Sequence, residues 1–220
     1  MLPLFPLGTV LFPGLVLPLH VFEERYQQLV RDLMELPEQD REFGVIAIRQ
    51  GREVGEHGAT ALFAVGCTAR LRQVESYPDG RFDLVTVGAQ LFRLKGVGHE
   101  RPYLTGDVEW LPDETGDEAE ARVLDAAVRA AFADYLVALG QASGTDIEGP
   151  DLPDDPLVLS HVVAATVLLD LVDRQELLDQ PDGLARLRRE LSVLRREAGF
   201  LRQLTAAPAP ELSRAPYSSN

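Results

Sequence analysis

Apolar and polar positions near the start of the chain predict two short strands followed by a helix. The two apolar runs within residues 2–19 contain four prolines. Proline fixes φ and removes a backbone donor, so each run is expected to be a short extended segment. Phe12, Pro13 and Gly14 separate the runs in a pattern typical of a turn. Apolar residues then recur with helical spacing from Phe22 until Pro37 ends the pattern.

Further strands are predicted as far as Pro112. Residues 43–48 form a β-branched run typical of a buried strand, and the polar, glycine-rich residues 50–58 predict a loop. Residues 59–75 and 81–97 indicate two long strands joined by a hairpin at Tyr77–Gly80. Residues 103–111 alternate weakly and predict a last strand. With glycine bends at Gly66 and Gly88, about six strands and one helix predict a small pseudo-barrel.

The pattern changes from strand-like to helical after Pro112. An acidic linker leads into a helix over residues 119–139. Asp155 and Pro156 are a typical helix start, with a capping carboxylate and then proline at the first helical position. The predicted helices cover residues 119–139, 155–171, 174–179 and 183–204. The fold class is therefore α+β: a β pseudo-barrel over 1–112, a helical bundle over 117–204 and a disordered tail over 205–220.

Charge and composition restrict the class of partner. The formal net charge is -14, which disfavours nucleic acid and anionic membrane surfaces because both require clustered Lys and Arg. Cys67 is the only cysteine, so no intrachain disulfide forms. Prolines interrupt the apolar N-terminus and no basic residue precedes Arg25, which is unlike a signal peptide. We expect a soluble, cytoplasmic protein.

Several segments carry a resemblance to a known family. The chain resembles the N-terminal, substrate-binding domain of Lon protease over residues 2–200, and the matching segments occur in the same order. In this sequence they are LPLFPL at 2–7, VLFPG at 10–14, LPLHVFEERY at 17–26, GAQLFRL at 88–94, DPL at 155–157, AA at 164–165, RQELLD at 174–179 and GLARL at 183–187.

The resemblance implies a PUA-like β pseudo-barrel with a helical bundle, a module that recognises unfolded or tagged polypeptides. Lys95, the only lysine, lies within a predicted strand. It fits neither a phosphate-binding Gly-x-x-x-x-Gly-Lys loop nor a Ser-Lys peptidase pair. We therefore expect a stand-alone, ATP-independent bacterial member without ATPase or peptidase domains, acting as an adaptor in protein quality control.

The titratable residues predict no catalytic or metal site and no cofactor. The histidines at 20, 57, 99 and 161 lack zinc-ligand spacing, and we interpret each as structural. No Gly-x-Ser-x-Gly motif occurs. Cys67 follows Gly66 in a predicted strand, so it is interpreted as a small buried hydrophobe. Arg25 is expected to form a salt bridge with the acidic residues before it, and Gln175 to tie its short helix to a neighbour.

The apolar turn at Leu11, Phe12 and Pro13 is the candidate binding site. Loops carry such side chains when they are buried or when they form contacts. Core packing is the favoured interpretation, and a peptide-contact patch is the alternative. An exposed strand edge beside the turn could also accept an extended peptide by strand addition.

Three function classes are compared. The favoured one is a non-enzymatic module that binds an unfolded polypeptide or a specific protein. The second is an RNA-binding module, because PUA-like barrels often bind RNA, although the net charge opposes it. The third is a small-molecule enzyme with a pocket between barrel and bundle. The leucine stripe of residues 183–204 fits burial in its own bundle or pairing with another copy, so the oligomeric state is undecided.

Overall fold

Among the residues that the structure describes, seven strands and one α-helix form the first half of the protein. The structure is a computed structural model that describes residues 1–51 and 59–206. The strands are β1 (Leu2–Leu7), β2 (Val16–Val21), β3 (Glu42–Gly51), β4 (Ala59–Leu62), β5 (Val65–Ser76), β6 (Phe82–Gly98) and β7 (Thr105–Trp110). Helix α1 (Glu24–Met34) follows β2 and buries Tyr26, Leu29, Val30 and Leu33.

Five of the strands pair in a closed circuit. Strand β1 pairs in parallel with β3, and antiparallel pairing continues from β3 to β5, β6, β7 and back to β1. Strand β2 pairs with the early part of the long strand β6, and β4 pairs with the end of β3. The strand pairings therefore close into a ring, as a pseudo-barrel requires. The more specific description of this ring as PUA-like stays a prediction.

The strand prediction was wrong in one place. The run over residues 59–75 is not one strand, because Phe63 and Ala64 separate β4 from β5. The Phe63 amide donates to Ala47 O at 3.0 Å. The chain bends there between β4, which pairs with the end of β3, and β5, which pairs with the start of β3 and with β6. The hairpin at Tyr77–Gly80 is confirmed, with Gly80 at φ 87° and Tyr77 N 2.9 Å from Arg81 O.

In the second half, the described residues form four helices. They are α2 (Glu118–Ser143), α3 (Pro156–Thr166), α4 (Leu171–Leu178) and α5 (Gly183–Ala206). Helix α3 begins as predicted, with Asp155 accepting from the amides of Leu157 and Val158. It ends at Thr166 rather than at residue 171, because Val167 is extended and the Leu168 amide donates to Tyr135 Oη at 3.1 Å. Asp170 then caps α4.

Two large apolar cores hold these elements together. The first lies between the strands and α1, and it also contains Ala164 of α3 and Leu177 and Leu178 of α4. The second joins α2, α3 and α5, and it buries Leu184, Leu187 and Leu194 of α5. Burial within its own bundle thus accounts for the leucine stripe. Because α3 and α4 contribute to the strand core as well, the division into two domains at residue 112 stays a prediction.

Two predicted segments lie partly or wholly outside the described residues. The predicted loop over 50–58 includes residues 52–58, which the structure does not describe, while Gln50 and Gly51 belong to β3. The predicted disordered tail begins inside α5, which reaches Ala206. Residues 207–220 lie outside the described part of the chain, so their predicted disorder is untested.

Candidate functional site

The three residues predicted as a candidate contact patch are buried. Phe12 is 1% exposed and Leu11 is 5% exposed, and Pro13 is buried as well. Both larger side chains belong to the strand core. Burial of these three side chains is what the favoured core-packing interpretation expects. In this conformation they form no exposed apolar patch. A peptide-contact role for Leu11, Phe12 and Pro13 stays a prediction.

The buried turn is held against strand β6 by close backbone contact. The Gly14 amide donates to Gly88 O, and the Gly88 amide donates to Leu15 O, both at 2.9 Å. Gly14 has φ 79°, which glycine adopts without strain. A Cβ atom at Gly88 would lie only 2.2 Å from the carbonyl oxygen of Phe12. Glycine at position 88 therefore allows the turn to lie directly on the sheet.

A buried polar cluster lies beside Phe12, between the strand half and the helical half. The rings of Phe12 and His161 are 6.3 Å apart. His161 Nε2 lies 2.9 Å from Oδ2 of Asp113, which follows the last strand. Arg186 of α5 is 1% exposed, and its Nη2 atom is 3.9 Å from Oδ1 of Asp113. The cluster therefore links the segment after β7 to α3 and α5.

Burial determines the protonation of this cluster. Burial lowers the pKa of His161 below its ordinary value, although the hydrogen bond to Asp113 opposes that effect. Burial alone would raise the pKa of Asp113, but the hydrogen bond from His161 and the positive charge of Arg186 hold it below the ordinary value. We assign a neutral imidazole whose Nε2–H donates to an ionised carboxylate.

The cluster resembles a Ser-His-Asp triad by residue type but not by geometry. Ser160 Oγ donates to Leu157 O at 2.7 Å and accepts from Arg186 Nη1 at 3.0 Å. His161 Nδ1 is buried and has no hydrogen-bond partner within residues 1–51 and 59–206. A nucleophile needs a base within hydrogen-bond reach and access to substrate, and Ser160 is fully buried. The arrangement therefore fits a structural connection between the two halves.

Other polar or potentially reactive side chains also have structural roles. Burial raises the pKa of the Cys67 thiol to about 12, so Cys67 is a buried hydrophobe as predicted. Arg25 pairs with Glu23 at 2.9 Å, which confirms the predicted salt bridge. Gln175 of α4 donates to Val65 O of β5 at 3.0 Å. Within residues 1–51 and 59–206, no group of His, Cys, Asp and Glu side chains is arranged to hold a metal ion.

An exposed groove of about 510 Å³ lies beside Trp110, and we call it the Trp110 groove. Trp110, the only tryptophan, is 50% exposed at the end of β7. Apolar side chains from three parts of the chain share the groove with it. They are Met1, Leu2, Leu33, Leu36 and Val108. Asp40, Glu42 and Asp107 also line it, which makes the groove apolar with an acidic margin.

An incompletely paired strand forms one wall of the Trp110 groove. Strand β1 pairs with β7 only at Leu2–Gly106 and Pro3–Thr105. The β1 side of residues 107–110 therefore carries no strand partner within the described residues. Sequence reasoning missed this groove because the weak alternation of residues 103–111 predicted only a strand, with Trp110 on the same face as Leu104 and Val108. The signal available was a lone tryptophan at the end of a strand.

Comparisons with known proteins identify the family. The fold is a mixed α+β Lon N-terminal domain fold, and the family model for the ATP-dependent protease La (LON) substrate-binding domain matches residues 1–196. The chain belongs to this family. Lon protease 2 of Herpetosiphon aurantiacus is 31% identical over 91% of this chain, and Lon protease of Escherichia coli strain K12 is 27% identical over 91%.

Solved structures support the same fold. A Lon N-terminal domain protein from Xanthomonas campestris superposes with a TM-score of 0.60 at 27% identity, covering 87% of this chain and 96% of that one. The N-terminal domain of the Mycobacterium avium complex Lon protease gives 0.58 at 15% identity, covering 90% and 97%, and shows the fold alone. The chain spans about a quarter of the length of the two curated relatives, 24% and 25%.

None of the helices among the described residues is long and apolar enough to cross a membrane.

Proposed function

We propose that this protein is a recognition module for polypeptides and that the Trp110 groove is a binding surface. The family is that of a substrate-binding domain of a protease, which supports protein chains as the substrate class. The observation that carries the proposal is the exposed indole of Trp110 in an apolar groove beside an unpaired strand edge. Half-exposed aromatic residues in such grooves are typical anchors for extended peptides.

The chemistry of the groove defines the segment that it would bind. Its floor accepts one or two apolar side chains, and burying each contributes about 1.5–3 kcal/mol before the costs of ordering. Asp40, Glu42 and Asp107 at the margin favour a positively charged neighbour. The unpaired backbone of β7 offers hydrogen bonds to an extended chain. We therefore propose as the ligand an unfolded segment in which apolar residues are flanked by Lys or Arg.

The only tryptophan gives a direct test. The probe is a tryptophan-free, unstructured synthetic peptide of leucines flanked by arginines, labelled with fluorescein. We expect saturable anisotropy and a blue shift of the Trp110 emission on binding of the unlabelled peptide, because the indole loses contact with water. Trp110→Ser should weaken binding about tenfold, the loss expected when an aromatic anchor is removed.

A matched control separates the groove from general surface hydrophobicity. Phe200 is 57% exposed on α5, so Phe200→Ser removes a similarly exposed aromatic residue elsewhere. We expect wild-type affinity for this variant. Equal affinities for Trp110→Ser and wild-type protein would place peptide binding on another surface. A flat titration with wild-type protein would contradict peptide recognition for this probe class.

Three parts of the proposal are more specific than membership of the family: the form of the barrel, the absence of catalysis and the cellular role. We propose a PUA-like pseudo-barrel, which the circuit of strand pairing supports, and a binding role without catalysis, which the geometry of Ser160 and His161 supports. We also propose an ATP-independent, cytoplasmic adaptor role in protein quality control. The test is whether a tethered or added protease degrades the bound peptide faster in the presence of this protein and without added nucleotide.

A further inference from the structure

The second half of strand β5 has an open edge on the side opposite β6. Strand β3 begins at Glu42, which pairs with Arg70, and the last backbone bond across this ladder runs from the Leu71 amide to Arg41 O at 2.9 Å. Residues 73–76 continue to pair with β6, after a register shift that leaves Arg72 without a β6 partner, and residues 72–76 have no strand on their other side among the described residues. This edge is about 16 Å long at the usual rise of a strand. It leaves backbone donors and acceptors available.

A groove of about 520 Å³ follows this edge, and we call it the arginine groove. The end of α1 and the short 3-10 helix Glu38–Asp40 lie across the groove from β5. Its lining is unusual for an acidic chain, because it holds three arginines and one glutamate. The lining residues are Met34, Glu38, Gln39, Arg41, Arg70, Leu71, Arg72 and Val74.

Two of the arginines are held in place and one is exposed. Arg41 donates to the carbonyl oxygens of Leu36 and Met34 at 2.9 and 3.2 Å, which fixes it at the end of α1. Arg70 donates to Glu42. Arg72 is exposed, and no hydrogen bond or ion pair involves its side chain in the described part of the chain. Its guanidinium is therefore available for a bidentate bond to a carboxylate.

We infer that the arginine groove binds an extended, acidic polypeptide segment, which adds as a strand to the open edge of β5 and pairs its carboxylates with Arg72 and its neighbours. Backbone bonds to residues 72–76 would align the segment, and the arginines would select Asp or Glu at alternate positions, since side chains of a strand alternate between faces. Arg is the residue best suited to hold carboxylates in a planar arrangement.

This inference deepens the proposed function but uses a separate surface. The Trp110 groove has an acidic margin and the arginine groove is basic, so the two select segments of opposite charge. Gln39 lines both grooves, which places them on either side of the same short 3-10 helix. Trp110 lines only the first groove and Arg72 only the second, so a variant at either residue leaves the lining of the other groove unchanged.

The test uses three labelled synthetic peptides with full-length protein. The first alternates Glu with Val and Thr, the second replaces every Glu with Gln, and the third is the acidic peptide with N-methylated alternate amides. We expect saturable anisotropy with the acidic peptide only. Arg72→Glu should weaken this binding about tenfold through charge reversal. Arg122→Glu, at an exposed position on α2, makes the same charge change as a control and should not weaken it.

Each outcome decides between distinct explanations. Equal binding of the acidic and Gln peptides, or unchanged affinity in Arg72→Glu, would overturn the charge assignment. Full binding of the N-methylated peptide would overturn strand addition. Binding of a labelled single-stranded RNA that Arg72→Glu abolishes would replace the peptide by a phosphate backbone. Failure of the acidic peptide alone, with the leucine–arginine peptide still bound through Trp110, would overturn this inference and leave the proposed function intact.

Discussion

The imidazole of His161 and the carboxylate of Asp113 form a buried hydrogen bond, with Nε2 and Oδ2 2.9 Å apart. Asp113 lies directly after the strand half, whereas His161 lies on α3, 48 positions later in the chain. Arg186 of α5 approaches the same carboxylate. This bond therefore connects the two halves where the strand core and the helical core meet, and its protonation affects how firmly they hold together.

The protonation of His161 predicts an acid-dependent loss of stability. Its pKa is lowered in the folded protein by burial. As the pH falls below the unfolded value of about 6.5, the unfolded chain gains a proton that the folded protein does not bind. The free energy of unfolding should therefore decrease from about pH 6.5 downward until the lowered folded pKa is reached.

Urea unfolding at a series of pH values measures this effect. His161→Gln keeps an amide donor toward Asp113 and removes the titration, so its stability should change less between neutral pH and mildly acidic pH. An unchanged slope in His161→Gln would contradict the assignment of this pH dependence to His161. A His161 ring resonance that titrates above its ordinary pKa would contradict the expected direction.

The buried carboxyl group of Glu190 predicts a loss of stability as the pH rises, whereas His161 predicts a loss as the pH falls. It is 1% exposed, and neither carboxyl oxygen has a hydrogen-bond partner among the described residues. Burial raises its pKa well above the ordinary value, although the charge of Arg186 opposes this. The folded carboxyl is neutral over a range in which the unfolded one is ionised. Stability from this group is thus fully present below the unfolded pKa and is lost as pH rises toward the folded pKa.

Glu190→Gln isolates this contribution. The amide is neutral at every pH, so the variant should be close to wild type in acid and more stable than wild type at alkaline pH. If Glu190→Gln and wild type differ by the same amount at every pH, Glu190 does not change its protonation on folding in the measured range.

Replacing Gly88 even with alanine is expected to lower the free energy of unfolding. A Cβ atom there would lie 2.2 Å from the carbonyl oxygen of Phe12, a backbone atom that cannot rotate away. Gly88→Ala should reduce the free energy of unfolding by about 1–3 kcal/mol, the usual cost of overpacking. Gly96→Ala on the same strand is the control, because its Cβ would meet only Asp107 Cβ, at 4.0 Å. Equal urea midpoints for the two variants would contradict this explanation.

Local sequence signals account for much of the fold but little of the candidate surfaces. Proline and capping residues marked real boundaries: Asp155 caps α3, and Gly80 forms the hairpin. The break at Phe63 was missed because residues 61–65 are all apolar and contain no proline or glycine to mark it. The two grooves depend on where neighbouring strands begin and end, such as the start of β3 at Glu42, and the periodicity within one strand does not contain this information.

Truncating Phe12 is expected to lower the stability of the fold without changing the affinity of the folded protein for either peptide. Its side chain is 1% exposed in the strand core, so Phe12→Ala should lower the free energy of unfolding by about 3–5 kcal/mol. Phe200→Ala, at a 57% exposed position, should cost far less. Because neither groove includes Phe12, the fraction of Phe12→Ala that remains folded should bind both probe peptides with wild-type affinity. A fully stable Phe12→Ala variant that loses peptide binding would instead make the turn a contact surface, as the alternative interpretation of the sequence predicts.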